Sequence, residues 1–256
     1  MALQTAERVS SHEASDNVIF QRHLVAYNEA ANLIYGNVLE VGSGEGYGIE
    51  LLASKVERYQ AIDKYNTSVE SYAAKYPHVH FQQMNIPPIE FPENTFDCIV
   101  TFQVIEHIED DAGMVREMAR VLKPGGLMVM TTPNIKMSLT RNPWHVREYT
   151  VSQLKGLLKN YFSEVEMKGV YGNQKVVDYY NPNKKSVEKI TRFDFLNLQY
   201  RLPRRLLQIP YDLLNRLNRR KLMKGNNQLV NDITVDDYYT AKANDKCFDL
   251  LAVAVK

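Results

Sequence analysis

The sequence predicts an α/β chain built on a mostly parallel sheet. Three observations carry this expectation. Short apolar, β-branched runs alternate with helical patterns along the first 170 residues. A glycine-rich turn follows the first of those runs directly, and the chain closes on another apolar run, CFDLLAVAV, at 247–255. Strands alternating with helices at this spacing argue for βαβ units.

The elements follow in order. An amphipathic helix is expected over 18–35, then a strand at 37–41. Further strands are read at 59–63, 79–82, 96–101 and 127–132, separated by helical patterns at 47–54, 68–75 and 112–122. Leu122-Lys123-Pro124-Gly125-Gly126 reads as a helix stop and a turn into the next strand. A helix at 151–160 and a strand at 162–170 come next, and 247–255 is the last strand. No internal repeat or low-complexity tract interrupts the series.

Residues 171–246 are too many for an ordinary loop. Leu202, Leu206, Ile209, Leu213 and Leu217 fall on one helical face there, and Pro203 and Pro210 should start or kink the helices. The expected division is therefore a core of 1–170 and 247–256, with a mostly helical insertion over 171–246. Charge follows this division. Residues 184–224 hold 12 Lys and Arg against 3 Asp and Glu, a net of +9. The rest of the chain holds 19 basic against 27 acidic residues, a net of −8.

Composition bounds the function without naming it. The 256 residues suit one medium domain with an insertion. The total charge of +1 gives no chain-wide sign of nucleic-acid binding. No apolar run is long enough for a membrane span. The first residues, MALQTAERVSSHEASD, carry no apolar leader segment, so a cytoplasmic protein is expected. Cys98 and Cys247 sit in apolar runs and read as buried thiols rather than a disulfide framework.

The densest chemical signal is Glu40-Val41-Gly42-Ser43-Gly44-Glu45-Gly46-Tyr47-Gly48. Glycines let the backbone turn tightly and let a ligand approach the main chain. A dinucleotide fingerprint would need its third glycine where Tyr47 stands, which disfavours a nicotinamide oxidoreductase. Glu40 and Glu45 beside the turn suit a cationic ligand better than a pyrophosphate.

This loop resembles the first motif of class I S-adenosylmethionine (SAM)-dependent methyltransferases. Ala61-Ile62-Asp63, Phe96-Asp97-Cys98-Ile99-Val100 with Val104-Ile105-Glu106-His107-Ile108, and Leu122–Gly126 running into Thr132-Pro133-Asn134 match further segments in order. The resemblance implies a Rossmann-like seven-stranded sheet of order 3-2-1-4-5-7-6, the last strand antiparallel, with helices on both faces. It implies SAM as cofactor and S-adenosylhomocysteine as product. Glu40, Gly42, Gly44 and Gly46 would line the methionine part, and Ser43 and Tyr47 of the same loop would also contact the cofactor. Asp63, with Lys64, would hold the ribose; a helix N-cap is the alternative for Asp63. Asn85 and Ile86 would read the adenine, although the family usually places an acid where Asn85 stands. Gln103 would end the fourth strand close to the transferable methyl.

A hydroxyl acceptor also needs its proton removed. His107, after Glu106, and His145 both follow strands at the expected ligand edge. Either could be the general base. Alternatively Glu106, His107 and His145 hold a divalent metal. Gln103 to His107 is similar to an E-x-x-E-H pattern of small-RNA and ubiquinone-pathway O-methyltransferases, with Gln103 in place of the first acid, which weakens the metal reading. Helix capping by Glu106-His107 and a hydrogen-bonded structural role for His145 remain open. So does the choice between core packing and cofactor contact for His23 and Tyr27, which share a helix face at i and i+4.

In this topology the sixth strand ends, and the seventh begins, at the ligand edge. The insertion must then emerge over the site. Its basic helical part has three readings: attraction of an anionic acceptor, contact with an anionic membrane, or an amphipathic lid or dimer contact with solvated arginines. Nucleic acid is disfavoured by the scarcity of aromatics placed for stacking. The expected reaction is O-methylation of a small molecule, glycan or lipid-linked intermediate. N-methylation and non-catalytic SAM binding are the alternatives.

Overall fold

The computed structural model describes residues 13–65 and 75–256. Eight strands form one sheet of order β3-β2-β1-β4-β5-β8-β6-β7. They are β1 (Asn37–Val41), β2 (Arg58–Asp63), β3 (Val79–Gln83), β4 (Phe96–Phe102), β5 (Leu122–Pro133), β6 (Glu164–Gly172), β7 (Tyr238–Lys242) and β8 (Asp249–Val255). The first five are parallel, and β8 runs antiparallel between β5 and β6. The seven expected strands are all present in the expected order. The eighth, β7, is an addition to that reading: it pairs antiparallel with β6 at the sheet edge. The Lys-Pro-Gly-Gly turn also lies inside β5, where the register against β4 shifts between Phe96 and Cys98. Such a bulge accommodates extra residues without ending the pairing.

Side-chain alternation along each strand feeds two cores. Leu39, Val41, Ile62, Ile99 and Met128 point to one face. They meet Met114 and Met118 of α3 (Asp111–Val121) and Leu154 and Leu158 of α4 (Val151–Leu158). Val38, Tyr59, Ala61, Cys98 and Val100 point to the other face. They meet Ala26, Tyr27 and Ala30 of α1 (Asn17–Ala31) and Ile49 and Leu52 of α2 (Ile49–Leu52). The helix starts are chemically marked: Asp110 caps α3 by accepting from Gly113 N, and Thr150 and Gln153 form a capping box on α4. The helical pattern at 68–75 lies almost wholly outside the described residues.

Between β6 and β7 the chain forms α5 (Gln174–Thr191), α6 (Leu198–Arg201), α7 (Arg204–Gly225) and α8 (Asn227–Asp232). Pro203 stands at the N-terminus of α7, and Pro210 lies within its first two turns. A third apolar cluster joins this segment to the sheet, through Val176, Val230, Ile233 and Tyr238 against Val18, Val25, Val170 and Phe248. The Tyr238 hydroxyl donates to Val18 O at 2.8 Å, and Arg219 pairs with Asp16 at 2.6 Å. No helix among the described residues is long and apolar enough to cross a membrane.

Candidate active site

The glycine turn sits where β1 meets α2. Gly42, Gly44 and Gly46 all have left-handed backbones, φ +82°, +54° and +77°. Side chains other than hydrogen rarely tolerate this. Their surroundings differ. A Cβ on Gly42 would lie 2.3 Å from Val104 Cγ2, whereas a Cβ on Gly44 would meet nothing within 4 Å. The turn therefore closes against the chain after β4 at one glycine and presents open backbone at another. Gly42 N and Ser43 N donate to Ile62 O, and Gly44 N donates to Asp63 Oδ2 at 2.9 Å. The other oxygen of Asp63 accepts from Tyr65 N. Asp63 is thus fixed beside the turn by two backbone amides. Lys64 is exposed, and its ammonium lies over the Tyr65 ring. Asn85 is exposed just past β3, while the adjacent Ile86 packs on the core.

Strand alternation sends Glu40 to the α1 face of the sheet. It is 1% exposed, and its two oxygens accept from Tyr27 and Tyr59 hydroxyls, each at 2.9 Å. Burial pushes its carboxyl up to about 7, against the two hydroxyl donors that favour the charged form. Tyr47 packs edge-on against Tyr27 and Phe20. His23 lies 3.5 Å from the Tyr47 hydroxyl and faces the neighbouring cavity. The pair on α1 thus divides: Tyr27 belongs to the core and His23 to the cavity wall.

The raised Glu40 pKa has a consequence for stability. Its folded value exceeds the unfolded one, so this group's contribution is fully present below about pH 4.5 and is lost as pH rises through about 7. The loss amounts to about 3 kcal/mol. Urea unfolding at pH 5 and pH 8 should show this drop in the wild type relative to Glu40→Gln. Equal pH slopes in the two proteins would contradict the assignment.

Past the end of β4 the chain turns sharply. Gln103 has φ +58°, and its amide nitrogen reaches Thr131 Oγ1 at 3.4 Å. A non-glycine residue held there is a strained position of the kind that clusters at ligand sites. A short 3-10 turn, Ile105–His107, follows. Glu106 is 1% exposed and accepts from Thr132 Oγ1 at 2.9 Å. Its backbone carbonyl accepts from Val146 N and Arg147 N, which ties the two loops together.

The two histidines are held differently. His107 Nδ1 lies 3.1 Å from the Trp144 carbonyl. A carbonyl can only accept, so Nδ1 carries hydrogen and a neutral ring has its lone pair on Nε2. His145 Nδ1 lies 2.7 Å from Glu148 Oε1, and Asn142 Nδ2 lies 2.9 Å from His145 Nε2. Trp144 N donates to Asn142 Oδ1, which fixes the amide so that it donates to His145. The lone pair of a neutral His145 is therefore committed to Asn142. The two rings meet edge to face, 5.0 Å apart.

Gln103, Glu106, His107 and His145 open on a cavity of about 640 Å³. That is in the range of small-molecule sites. Its opposite wall comes from α5 and α7, including Tyr179, Asn183, Leu207, Tyr211 and Asn218. The insertion therefore roofs the cavity. Arg22 also lines it and pairs at 2.9 Å with Asp249, which is 1% exposed and whose pKa is raised chiefly by burial. The glycine turn, Asp63 and Asn85 are not part of this cavity's wall; Gly42 packs against Val104, the residue after Gln103 of the wall. The predicted residues thus fall into two groups that share the carboxyl edge of the sheet.

The glycine turn, the fixed acid after β2 and the strand order make a nucleoside-bearing ligand the natural occupant of that edge. Comparisons with known proteins agree. A family model described as a methyltransferase domain matches residues 39–130. A probable SAM-dependent methyltransferase of Mycolicibacterium smegmatis is 40% identical over 168 residues, covering 63% of this chain and 65% of its own. One of Mycobacterium tuberculosis H37Rv is 38% identical over 181 residues, covering 68% and 66%. The chain belongs to the class I SAM-dependent methyltransferases. It spans about two thirds of the length of these curated relatives. The YcgJ protein of Bacillus subtilis shares the fold at a TM-score of 0.58 and 17% identity, over 91% of this chain and 99% of that one.

As a member of this family the chain should offer SAM a cradle, and the residues fit one. Gly44 presents open main chain, and Asp63 stands beside it with its carboxylate pre-set by amides. Cys98 and Cys247 are free and buried, and burial raises both thiols, so neither is a nucleophile. Sequence reasoning missed Asn142, Glu148 and Asp249. The first and second were legible as polar neighbours of His145. Asp249 was legible as the one acid in an otherwise apolar strand.

Proposed function

We propose that the protein transfers a methyl group from SAM to a hydroxyl oxygen of a small molecule, glycan or lipid-linked intermediate. The observation that supports this most directly is His107, whose Nδ1 is tied to the Trp144 carbonyl while the ring lines the acceptor cavity beside Gln103. When bound, SAM supplies an electrophilic methyl on a sulfonium, open to in-line displacement. Asp63 and the glycine turn hold the cofactor, and Gln103 marks the junction with the acceptor. Nε2 of His107 takes the hydroxyl proton as the oxygen becomes nucleophilic. His145, fixed by Glu148 and Asn142, braces the His107 ring. The roof of α5 and α7 excludes water and orients the acceptor.

Calorimetry is expected to show binding of SAM and S-adenosylhomocysteine and none of NAD. Labelled SAM incubated with cell extract should then yield a methyl ether that survives mild base. Binding of NAD in place of SAM would sink the reading, and a methylated amine as product would move the reaction to nitrogen.

One observation favours a metal-assisted variant. Ligand atoms of Glu106, His107 and His145 lie within 4.8 Å of one another. One carboxylate and two imidazoles suit manganese, iron or zinc. Binding would cost the Asn142 bond to His145. Titration with manganese should then give saturable binding that His107→Ala abolishes, and EDTA should arrest turnover. Indifference to EDTA together with no heat of manganese binding rejects the variant.

A further inference from the structure

Residues 190–217 carry most of the exposed apolar surface of the described chain. Eleven of the fifteen large hydrophobic side chains that are exposed fall there, and Phe193, Phe195 and Ile209 are 76%, 83% and 80% exposed. On α7, Leu206, Ile209, Leu213 and Leu217 are spaced three and four apart, which puts them on one face. A second face of the same helix, with Leu207, Tyr211 and Asn218, lines the cavity. The helix is therefore apolar on two sides, and among the described residues only one of them is covered, the other being exposed. Patches of this kind mark contact surfaces.

Charge says what covers it. At helical spacing Arg205 and Arg216 border the outer apolar face on one side and Lys221 on the other, with Arg220 and Lys224 continuing it toward the C-terminal end. Residues 184–224 have a net charge of +9, while the rest of the chain is at −8. An apolar helical face bordered by Lys and Arg is the arrangement that lies in the interface of an anionic bilayer. A second copy of the chain would have to bring the same basic border against itself.

We infer that the outer face of α7, with Phe193 and Phe195, docks on an anionic lipid bilayer. Phe193 and Leu198 also line the cavity, so its rim lies within the docking patch. The cavity then opens at the bilayer surface, and the acceptor is a molecule that carries a lipid chain. The acceptor part of this inference rests on the proposed methyl transfer; the docking does not.

Flotation of the full chain with vesicles tests it. Vesicles of phosphatidylcholine mixed with phosphatidylglycerol should bind at least about tenfold more tightly than phosphatidylcholine alone, and high salt should weaken the difference. The triple variant Ile209→Ser, Leu213→Ser, Leu217→Ser should lose binding to both. The set Arg205→Gln, Arg216→Gln, Arg220→Gln, Lys221→Gln should lose only the preference for anionic vesicles. Calorimetry with SAM checks that each variant remains folded, and it separates the two ideas. SAM binding without vesicle binding overturns the docking alone; vesicle binding without SAM binding overturns the methyl transfer alone. Equal binding to both vesicle types, or a dimer that the triple serine variant dissociates, also overturns the docking.

Discussion

His107→Ala is expected to lower turnover by about 10²–10⁴-fold, the span that a positioned acid or base supplies, with the Kd for SAM unchanged. The separation follows from geometry. His107 lies in the turn after β4 and faces the cavity proposed for the acceptor, whereas the cradle proposed for the cofactor lies at the ends of β1 and β2. His145→Ala should cost less turnover and more stability. Its ring donates to Glu148 and accepts from Asn142, so its removal takes one hydrogen bond from each of two half-buried polar side chains. Measuring kcat, the Kd for SAM and urea stability on both variants decides the assignment. Full turnover in His107→Ala with none in His145→Ala would exchange the two roles.

The second large effect divides neighbouring glycines. Gly42→Ala must force a methyl to 2.3 Å from Val104 Cγ2 at φ +82°. Overpacking together with a left-handed alanine should destabilise the fold by about 3 kcal/mol or more. Val104 leads into the turn that holds Glu106 and His107, so the damage should reach the acceptor side too. Gly44→Ala meets no atom within 4 Å and should cost only about 1 kcal/mol of stability. Its methyl nevertheless occupies the approach to the open main chain beside Asp63, so SAM affinity should fall steeply. Thermal unfolding and calorimetry on both variants give the comparison. A stable Gly42→Ala would contradict the close packing on Val104, and a Gly44→Ala that binds SAM normally would put the cofactor elsewhere.

The sheet was legible because buried strands are short, apolar and separated by turn chemistry. What escaped had specific causes. β7 is only Tyr-Tyr-Thr-Ala-Lys, an edge strand that buries one side chain fully, and it follows a long helical and basic stretch. Its Tyr and Thr were the available signal. The two tyrosine hydroxyls that Glu40 accepts from come from α1 and β2, so that network was out of reach of a local pattern. On α7 the leucines were visible, but Leu207, Tyr211 and Leu214 make a second apolar stripe. A pattern with two stripes cannot say which one turns inward. The tautomer of His107 depends on the Trp144 carbonyl, a contact that exists only once two loops are brought together, whereas that of His145 is set locally by Asn142 and Glu148.

The hairpin partner that sequence reading missed changes what kind of object the roof is. Gly172 and Tyr238 stand opposite each other in the β6–β7 register. The sixty-odd residues between them leave the sheet and return to it at the same rung. Such a segment is a cassette: its ends are already joined by the ladder, so its length and content can vary without disturbing the strand order. If the cavity and the outer face of α7 act as proposed, acceptor choice and surface attachment would be exchanged as one unit, while the glycine-turn end of the sheet stays as it is.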